Sequence, residues 1–436
     1  MKRAIEKFFR LKELNTDIRT EVLAGITTFM TMAYIIIVNP AILEIAGIPK
    51  GPSMVATILV AFFSTLFMGL YANRPFALAP YMGENAFVAF TVVGLLGYSW
   101  QDALTAIFLG GVIFTLLTVF RIRGWLANAI PVCLKYSFAV GIGLFLAFIG
   151  LNEAGIVVLG SKGAPVRMGN LGQPEVILAI IGFLMMGIFM IRKFKGSILL
   201  SIILVAIISF FLGISKFPDK LVSLPPSISP IFLRLDFSKT FTMGFLGILL
   251  TVFILDFVDT IGTIIGVSAR AGFLDKDGNL PQIEKPLLVD ALSTVLASIL
   301  GTTTAGTFIE SASGIEEGGR SGLTASVTAG LFLLALFFSP LLSMIPKCAY
   351  APALIIVGLL MLEPIRRINF YDYTEIIPAF SVVTLMCFTY NIGVGITAGF
   401  VLYLFFKLIS GRFREITAGT WVLGILSLFF FIFYPY

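Results

Sequence analysis

The chemistry in this sequence lies in acids placed where apolar residues are expected. Asp256 and Asp259 interrupt the run Leu249-Leu250-Thr251-Val252-Phe253-Ile254-Leu255. Three residues apart on a helix, they share a face. Asp290 sits within Leu287-Leu288-Val289-Asp290-Ala291-Leu292, Glu84 precedes Asn85, and Glu310 precedes Ser311. An acid in mid-span costs about 2.5–3.5 kcal/mol on insertion scales, so such residues normally face a bundle interior or a water path. A carboxylate taken out of water is also easier to protonate. The chain has no His and so lacks the usual near-neutral proton shuttle; proton chemistry would fall to carboxylates. A carboxylate accepts N–H groups, and an Asn amide both donates and accepts. Together they could hold a polar solute. The other reading is that the acids cap or pin broken backbone, and for Asp290 and Glu84 the two readings stand side by side. Phe308 and Tyr81, beside the breaks, could stack on a planar ligand. Glu316 and Glu317 are expected to pair with Arg320.

The elements that must position these residues follow from composition. Of 436 residues, 58% are hydrophobic and 12% charged, against about 25% charged in a soluble domain. This excludes a soluble enzyme, a secreted disulfide scaffold and a disordered chain. What remains is a multi-spanning membrane protein, and 3.6-period apolar runs make its spans helical. Cys133, Cys348 and Cys387 lack metal-ligand spacing and read as packing residues. No nucleophile–base set accompanies the acids, so neither an enzyme nor a cofactor or metal is expected. The net charge of +6 is scattered along the chain, which fits membrane topology rather than nucleic acid.

At about 20 apolar residues per span, candidate spans cover 22–43, 53–72, 83–97, 102–121, 133–151, 176–191, 197–214, 242–266, 286–301, 311–319, 322–345, 350–362, 374–390 and 391–409. Of these, 83–97, 311–319 and 350–362 are too short to cross alone. A further apolar stretch at 418–434 is either an extra crossing or an interfacial helix. Residues 1–20 carry six Lys and Arg around Ile5, Phe8 and Phe9, which suggests a helix on the membrane surface. With this end cytoplasmic, alternating spans put Arg74, Arg121, Arg123, Arg192, Lys193, Lys195, Arg270, Lys276, Arg320, Arg366, Arg367, Lys407, Arg412 and Arg414 on the same side, as the positive-inside rule requires.

Two spans are interrupted in a related way. Pro75, Pro80 and Gly83 forbid a continuous helix over 73–85. Thr302, Thr303, Thr304 and Thr307 with Gly301 and Gly306 favour an extended strand before Phe308. Each extended piece leads into an acid, a small polar residue and a short helix. Backbone broken at membrane depth is tolerated where it lines a cavity or is buried in protein, and paired half-helix N-termini are a place to bind a polar solute. A weak internal repeat points the same way. Ala129-Ile130-Pro131-Val132-Cys133 with Val140-Gly141-Ile142-Gly143-Leu144 matches Met344-Ile345-Pro346-Lys347-Cys348 with Ile356-Val357-Gly358-Leu359-Leu360. An odd number of spans per half would make the repeats inverted.

The motifs Gly25-Ile26-Thr27-Thr28-Phe29-Met30-Thr31-Met32-Ala33-Tyr34, Asn39-Pro40, Gly83-Glu84-Asn85-Ala86-Phe87, Asp256-Phe257-Val258-Asp259-Thr260-Ile261-Gly262-Thr263 and the stretch from Ile309 to Leu323 form one pattern. It resembles the azaguanine-type adenine/guanine/hypoxanthine permeases, a branch of the nucleobase–ascorbate (nucleobase–cation symporter) superfamily, from about residue 15 to the end. The resemblance implies an all-α polytopic membrane protein with 7+7 inverted spans, spans 3 and 10 being a short strand plus a half-helix. It implies core segments at 21–123 and 241–345 and gate segments at 124–240 and 346–436. It implies proton-coupled import of purine nucleobases across the cell membrane by an elevator-like movement of core against gate, often in a homodimer. Carried over by motif, Asn85, Asp256, Glu310, Ser311 and Phe308 would contact substrate; Asp259, Asp256 and Asp290 would serve proton coupling; Gly83, Glu84 and Thr260 would be structural near the site. Glu310-Ser311 replaces the Glu-Asn of pyrimidine and xanthine relatives, which argues against uracil or xanthine. The competing expectation is an anion transporter or channel of the same fold.

Overall fold

The computed structural model describes residues 2–120, 130–160, 164–215, 222–275 and 280–433. Arg121, Arg123, Ala129, Lys276 and the expected domain boundary at 123/124 lie outside them. The chain folds as helices α1 (Lys2–Phe8), α2 (Ile18–Met32), α3 (Ile35–Ile45) and α4 (Lys50–Phe67), then strand β1 (Leu78–Pro80). Next come α5 (Met82–Ala86), α6 (Trp100–Val119), α7 (Val132–Glu153), β2 (Val157–Leu159), β3 (Val166–Met168), α8 (Pro174–Ile191) and α9 (Ser197–Phe211). The second half holds α10 (Met243–Ala271), α11 (Glu284–Leu300), β4 (Ala305–Thr307), α12 (Ser311–Glu316), α13 (Gly322–Ala335) and α14 (Ser339–Ser343). It ends with α15 (Lys347–Leu360), α16 (Tyr373–Phe388), α17 (Ile392–Ile409) and α18 (Ala418–Phe433).

Nine helices among the described residues are long and apolar enough to cross a membrane, and shorter apolar helices cover 82–95, 197–211, 373–388 and 418–429. The span read as too short at 350–362 is in fact continuous from Lys347 to Arg367, because a 3-10 turn at Glu363–Arg367 extends α15. The first and second spans are less regular than their apolar runs suggest. The first breaks between α2 and α3 at Ala33–Tyr34, and α4 ends in a π-turn at Met68–Ala72. Helix starts are set by local caps. Asp17 accepts from Thr20 N at 3.0 Å, Ser99 and Asp102 form a capping box, and Thr242 opens α10, each satisfying an otherwise orphan N–H.

The internal repeat becomes a structural fact at α7 and α15. Pro131 and Pro346 are the N-caps of these helices, and Cys133 and Cys348 are both buried as the second residue of each. The helices pack antiparallel. Gly143 lies against Gly358, so that a Cβ on Gly143 would stand 2.7 Å from the Gly358 carbonyl oxygen; Gly150 lies against Ala351, 2.9 Å by the same measure. The matching glycines of the two repeats thus meet where the helices cross, as a 7+7 inverted architecture requires.

The helices sort into two packed groups. In one, α7 packs on α15 and α16, α16 on α17, and α8 on α9 and α15; in the other, α6 packs on α10 and α11, and α13 on α2 and α4. A buried carboxylate ties the second group together. Glu21 of α2 accepts from the backbone N–H groups of Arg320, Ser321 and Thr324 and from the Ser321 and Thr324 hydroxyls at 2.6–3.2 Å, capping α13 from across the fold.

Candidate functional site

Two three-residue strands, far apart in sequence, make the centre of the second group. β1 and β4 pair antiparallel with Leu78 opposite Thr307, Ala79 opposite Gly306 and Pro80 opposite Ala305. The ladder continues outward through Tyr81 N to Thr304 O and Phe308 N to Ala77 O, both 2.9 Å. Such short strands have little pairing energy of their own. Side chains from flanking helices hold them. Thr65 accepts from Leu78 N at 2.9 Å and donates to Leu78 O at 3.0 Å. Asn39 donates to Thr57 and Thr302 at 2.7 and 3.0 Å. Because the strands are antiparallel, α5 leaves the crossing beside Thr303 and α12 leaves it beside Ala77.

The acids are arranged around this crossing. Glu310, the residue before α12, is half-buried and accepts from the Tyr34 hydroxyl at Oε1, 2.6 Å. Tyr34 sits at the break in the first span, and that break aims its ring at the site. Asp256 of α10 is buried and accepts from Thr294 Oγ1 at 3.2 Å; the same hydroxyl lies 3.2 Å from the Ala305 carbonyl. Asp290 is fully buried and accepts from Thr307 N at 2.9 Å and from the hydroxyls of Thr260 and Thr307. It therefore pins β4 to α10 and α11. Asp259 is half-buried, and its Oδ2 lies 3.9 Å from where a Cβ on Gly83 would stand.

Asn85 and Ser311 occupy related places on the two half-helices. Asn85 is fully buried, with its amide oxygen bonded by the Thr303 hydroxyl, while its Nδ2 has no partner among the described residues. Ser311 accepts from Ala77 N at 3.0 Å. Glu84, also fully buried, has no hydrogen-bond partner at either carboxylate oxygen among the described residues. Phe308 and Tyr81 stack parallel, 4° apart in plane with centroids 6.2 Å apart, and the Tyr81 ring covers Gly306, so a side chain at 306 would meet it at about 2.5 Å. Gly83 is equally constrained, since its Cβ would stand 2.9 Å from Ile142 of α7.

Sequence reasoning missed Tyr34, Thr294, Thr303 and Glu21 as partners of the site and its frame. Tyr34 and Thr294 lie inside runs that read as ordinary span, Thr303 reads only as part of an extended strand, and Glu21 falls at a span edge. The expected pairing of Glu316 and Glu317 with Arg320 is corrected: Glu316 meets Arg270 at 3.0 Å, and Glu317 pairs with Lys195. The Arg320 guanidinium instead donates to the Ile315 and Gly319 carbonyls, which are nearer its own helix start. A cavity of about 620 Å³ lies beside the acids rather than among them, lined by Phe87, Tyr98, Leu249, Thr251, Phe253 and Asn391. Among the described residues no three Asp, Glu or Cys are grouped to hold a metal ion.

Chemically, the arrangement is a set of carboxylates and an amide held by neutral hydroxyl donors at a break in two spans. It offers acceptors to a neutral N–H-rich solute. Comparisons with known proteins agree with this architecture. The model described as Permease family matches residues 19–402. The chain is 48% identical over 99% of its length, and 98% of the relative's, to a protein of Methanocaldococcus jannaschii named as a permease. It is 41% identical to the adenine permease AdeP of Escherichia coli over 98% of this chain and 96% of that protein. It is 40% identical to the guanine/hypoxanthine permease PbuO of Bacillus subtilis over 96% and 98%. Among solved structures, the transmembrane domain of the cyanobacterial bicarbonate transporter BicA superposes with a TM-score of 0.64 at 18% identity, covering 87% of this chain and 97% of that one. That likeness concerns the fold. The chain is a multi-pass membrane permease and belongs to the azaguanine-type branch of the nucleobase–ascorbate transporter superfamily.

Proposed function

We propose that this permease imports the purine nucleobases adenine, guanine and hypoxanthine across the cell membrane by proton symport. The observation that carries the reading is the pairing of β1 with β4, which gathers Asn85, Asp256 and Glu310 at one break in the spans. The named activities of the adenine and guanine/hypoxanthine permeases above favour purines among neutral solutes. In this reading Glu310, held by Tyr34, and Asp256 accept purine N–H groups. Asn85 serves the other edge, Ser311 and Phe308 complete the contact, and Gly83 and Thr260 hold the half-helix and Asp290 in place.

Asp259, Asp256 and Asp290 are the groups proposed for proton coupling, since a proton lowers the cost of moving an acid through a dry interface. The group built on α2, α4, α6, α10 and α13 is the moving core, with bounds 21–123 and 241–345. The group built on α7–α9 and α15–α17 is the gate, with bounds 124–240 and 346–436. Residues 1–20 lie on the cytoplasmic side, and the protein works as a homodimer. Uptake of labelled adenine, guanine, hypoxanthine, xanthine and uracil into proteoliposomes, with an imposed pH or sodium gradient, tests this. One charge across 100 mV supplies about 2.3 kcal/mol. At 1.4 kcal/mol per tenfold, this sustains a purine gradient of about forty- to fiftyfold. Uptake of uracil without any purine would overturn the assignment.

A further inference from the structure

We propose that Glu84 holds the coupling proton inside the core and exchanges it through Asp259. The inference rests on the proton-symport reading above, which uses Glu84 only as a residue near the site. Its carboxylate is fully buried, and neither oxygen has a hydrogen-bond partner among the described residues. The neighbouring acids are treated differently: Thr294 donates to Asp256, Thr260 and Thr307 to Asp290, and Tyr34 to Glu310. A carboxylate buried without donors is tolerated when it carries a proton of its own.

The groups that face Glu84 leave the proton as its means of neutralisation. α10 brings Asp259 and Asp256, and α11 brings Asp290; all three are acids that act on it electrostatically. α7 presents Ile142 to the adjacent Gly83, and its only ionisable side chains are Lys135 and Tyr136 near one end, Glu153 at the other and buried Cys133. α3 has no ionisable residue before Glu44, and the helical continuation Phe87–Leu95 has none. Tyr81 adds a phenol just before α5. Asp259 is half-buried and lies against Gly83, whereas Glu84 is fully enclosed. A proton therefore arrives at Asp259, passes to the Glu84 carboxylate and removes one negative charge from the core while it crosses. Return to Asp259 on the other side releases the proton and restores the charge, one proton per cycle.

The test is uptake into proteoliposomes with an inward pH gradient, using whichever of adenine, guanine and hypoxanthine the wild-type protein accumulates. E84Q, which is isosteric and cannot exchange a proton, is expected to lose at least tenfold of the pH-driven accumulation. It should still exchange labelled for unlabelled purine at equal pH on both sides. E84D should retain pH-driven accumulation with a displaced pH profile. A second readout is titration of the detergent-solubilised, purine-free protein from pH 6 upward, followed with a pH indicator: the wild type should release about one proton more than E84Q, and equal release overturns the inference. If E84Q does not fold, E84D carries the test, and an unshifted pH profile in E84D overturns the inference. Equal pH-driven accumulation in wild type and E84Q overturns the role of Glu84 and leaves proton symport standing. A wild-type protein that ignores the pH gradient overturns both.

Discussion

Replacing Glu21 tests whether one acid can join two spans that are 300 residues apart. Glu21 is fully buried in the first turn of α2 and receives five donors: the N–H groups of Arg320, Ser321 and Thr324 and the hydroxyls of Ser321 and Thr324. Two of these, from Ser321 and Thr324, are N–H groups that any helix start leaves unpaired, and a negative charge there also meets the positive end of the helix. Glu21→Ala strands the three N–H groups and the Ser321 hydroxyl in a closed space, while the Thr324 hydroxyl keeps the Glu21 carbonyl at 3.3 Å. Removing one partner of a buried, charge-assisted network costs about 3–5 kcal/mol. Glu21→Gln keeps the shape and one acceptor oxygen but turns an NH₂ toward donors, for a loss of about 1.5–3 kcal/mol. For a chain of 436 residues, an unfolding entropy of about 2.1 cal/mol/K per residue converts these losses to about 3–5 °C and 2–3 °C in Tm. Thermal melting of the detergent-solubilised protein, followed by the loss of its monodisperse peak, measures this order. Because Glu21 lies away from the acids at the crossing, the KM for purine should be unchanged below the melting range. Equal Tm values for Glu21→Ala and wild type, or a larger loss for Gln than for Ala, would refute the reasoning.

Three further outcomes follow from the contacts. Tyr34→Phe removes the donor at 2.6 Å from Glu310. A hydrogen bond to a charged group is worth about 1.5–3 kcal/mol, so uptake kinetics should show KM for purine raised about tenfold or more with Tm little changed. Gly83→Ala places a methyl 2.9 Å from Ile142 Cγ2; transport should fall severalfold, and Ile142→Ala should restore it in the double variant, as initial uptake rates will show. Outside the spans, partial burial pushes the Asp372 carboxyl up, but hydrogen bonds from Thr374 and Arg412 and the nearby Lys407 outweigh it and bring it down to about 2. A depressed acid contributes stability above its unfolded value of about 3.9, which is lost as pH falls toward 2. Melting points should therefore be level from pH 7 to about 4.5 and drop below pH 4, and Asp372→Asn should flatten that drop.

How far the sequence was legible depends on how local the signal is. The broken spans could be read because Pro75, Pro80, Gly83 and the Thr run at 302–304 act on their own backbone. The pairing of β1 with β4 could not, since three-residue strands carry no alternation and their register is set by Thr65, Asn39 and Asp290 arriving from other helices. The repeat was faint in sequence yet sharp in space, because a few positions, Gly143 and Gly150 against Gly358 and Ala351, decide whether α7 and α15 can approach closely. The break at Tyr34 was hidden for a related reason: in a span buried on most sides, periodicity does not report a local change of helix type. Acids were found where they interrupt apolar runs and missed where, like Glu21, they stand at a span edge.

The fold alone does not choose the solute, since a bicarbonate transporter's transmembrane domain shares it. Under the proposed function, the sign of the charge at the crossing does. Between residues 74 and 86 and between 301 and 317 the one cation is Arg74, and its Nη2 is spent on the Pro281 carbonyl at 2.8 Å. Among the described residues, hydroxyls and a backbone N–H donate to Asp256, Asp290 and Glu310. Neutral donors of this kind can hold a carboxylate in place without cancelling its charge, so the crossing keeps a negative field. An anion would enter against that field, whereas a neutral base with N–H groups, or a proton, enters with it. Converting Glu310 to Gln should therefore weaken purine uptake without creating transport of bicarbonate or sulfate. Unchanged purine uptake in that variant would show that the charge at Glu310 is not a selective element.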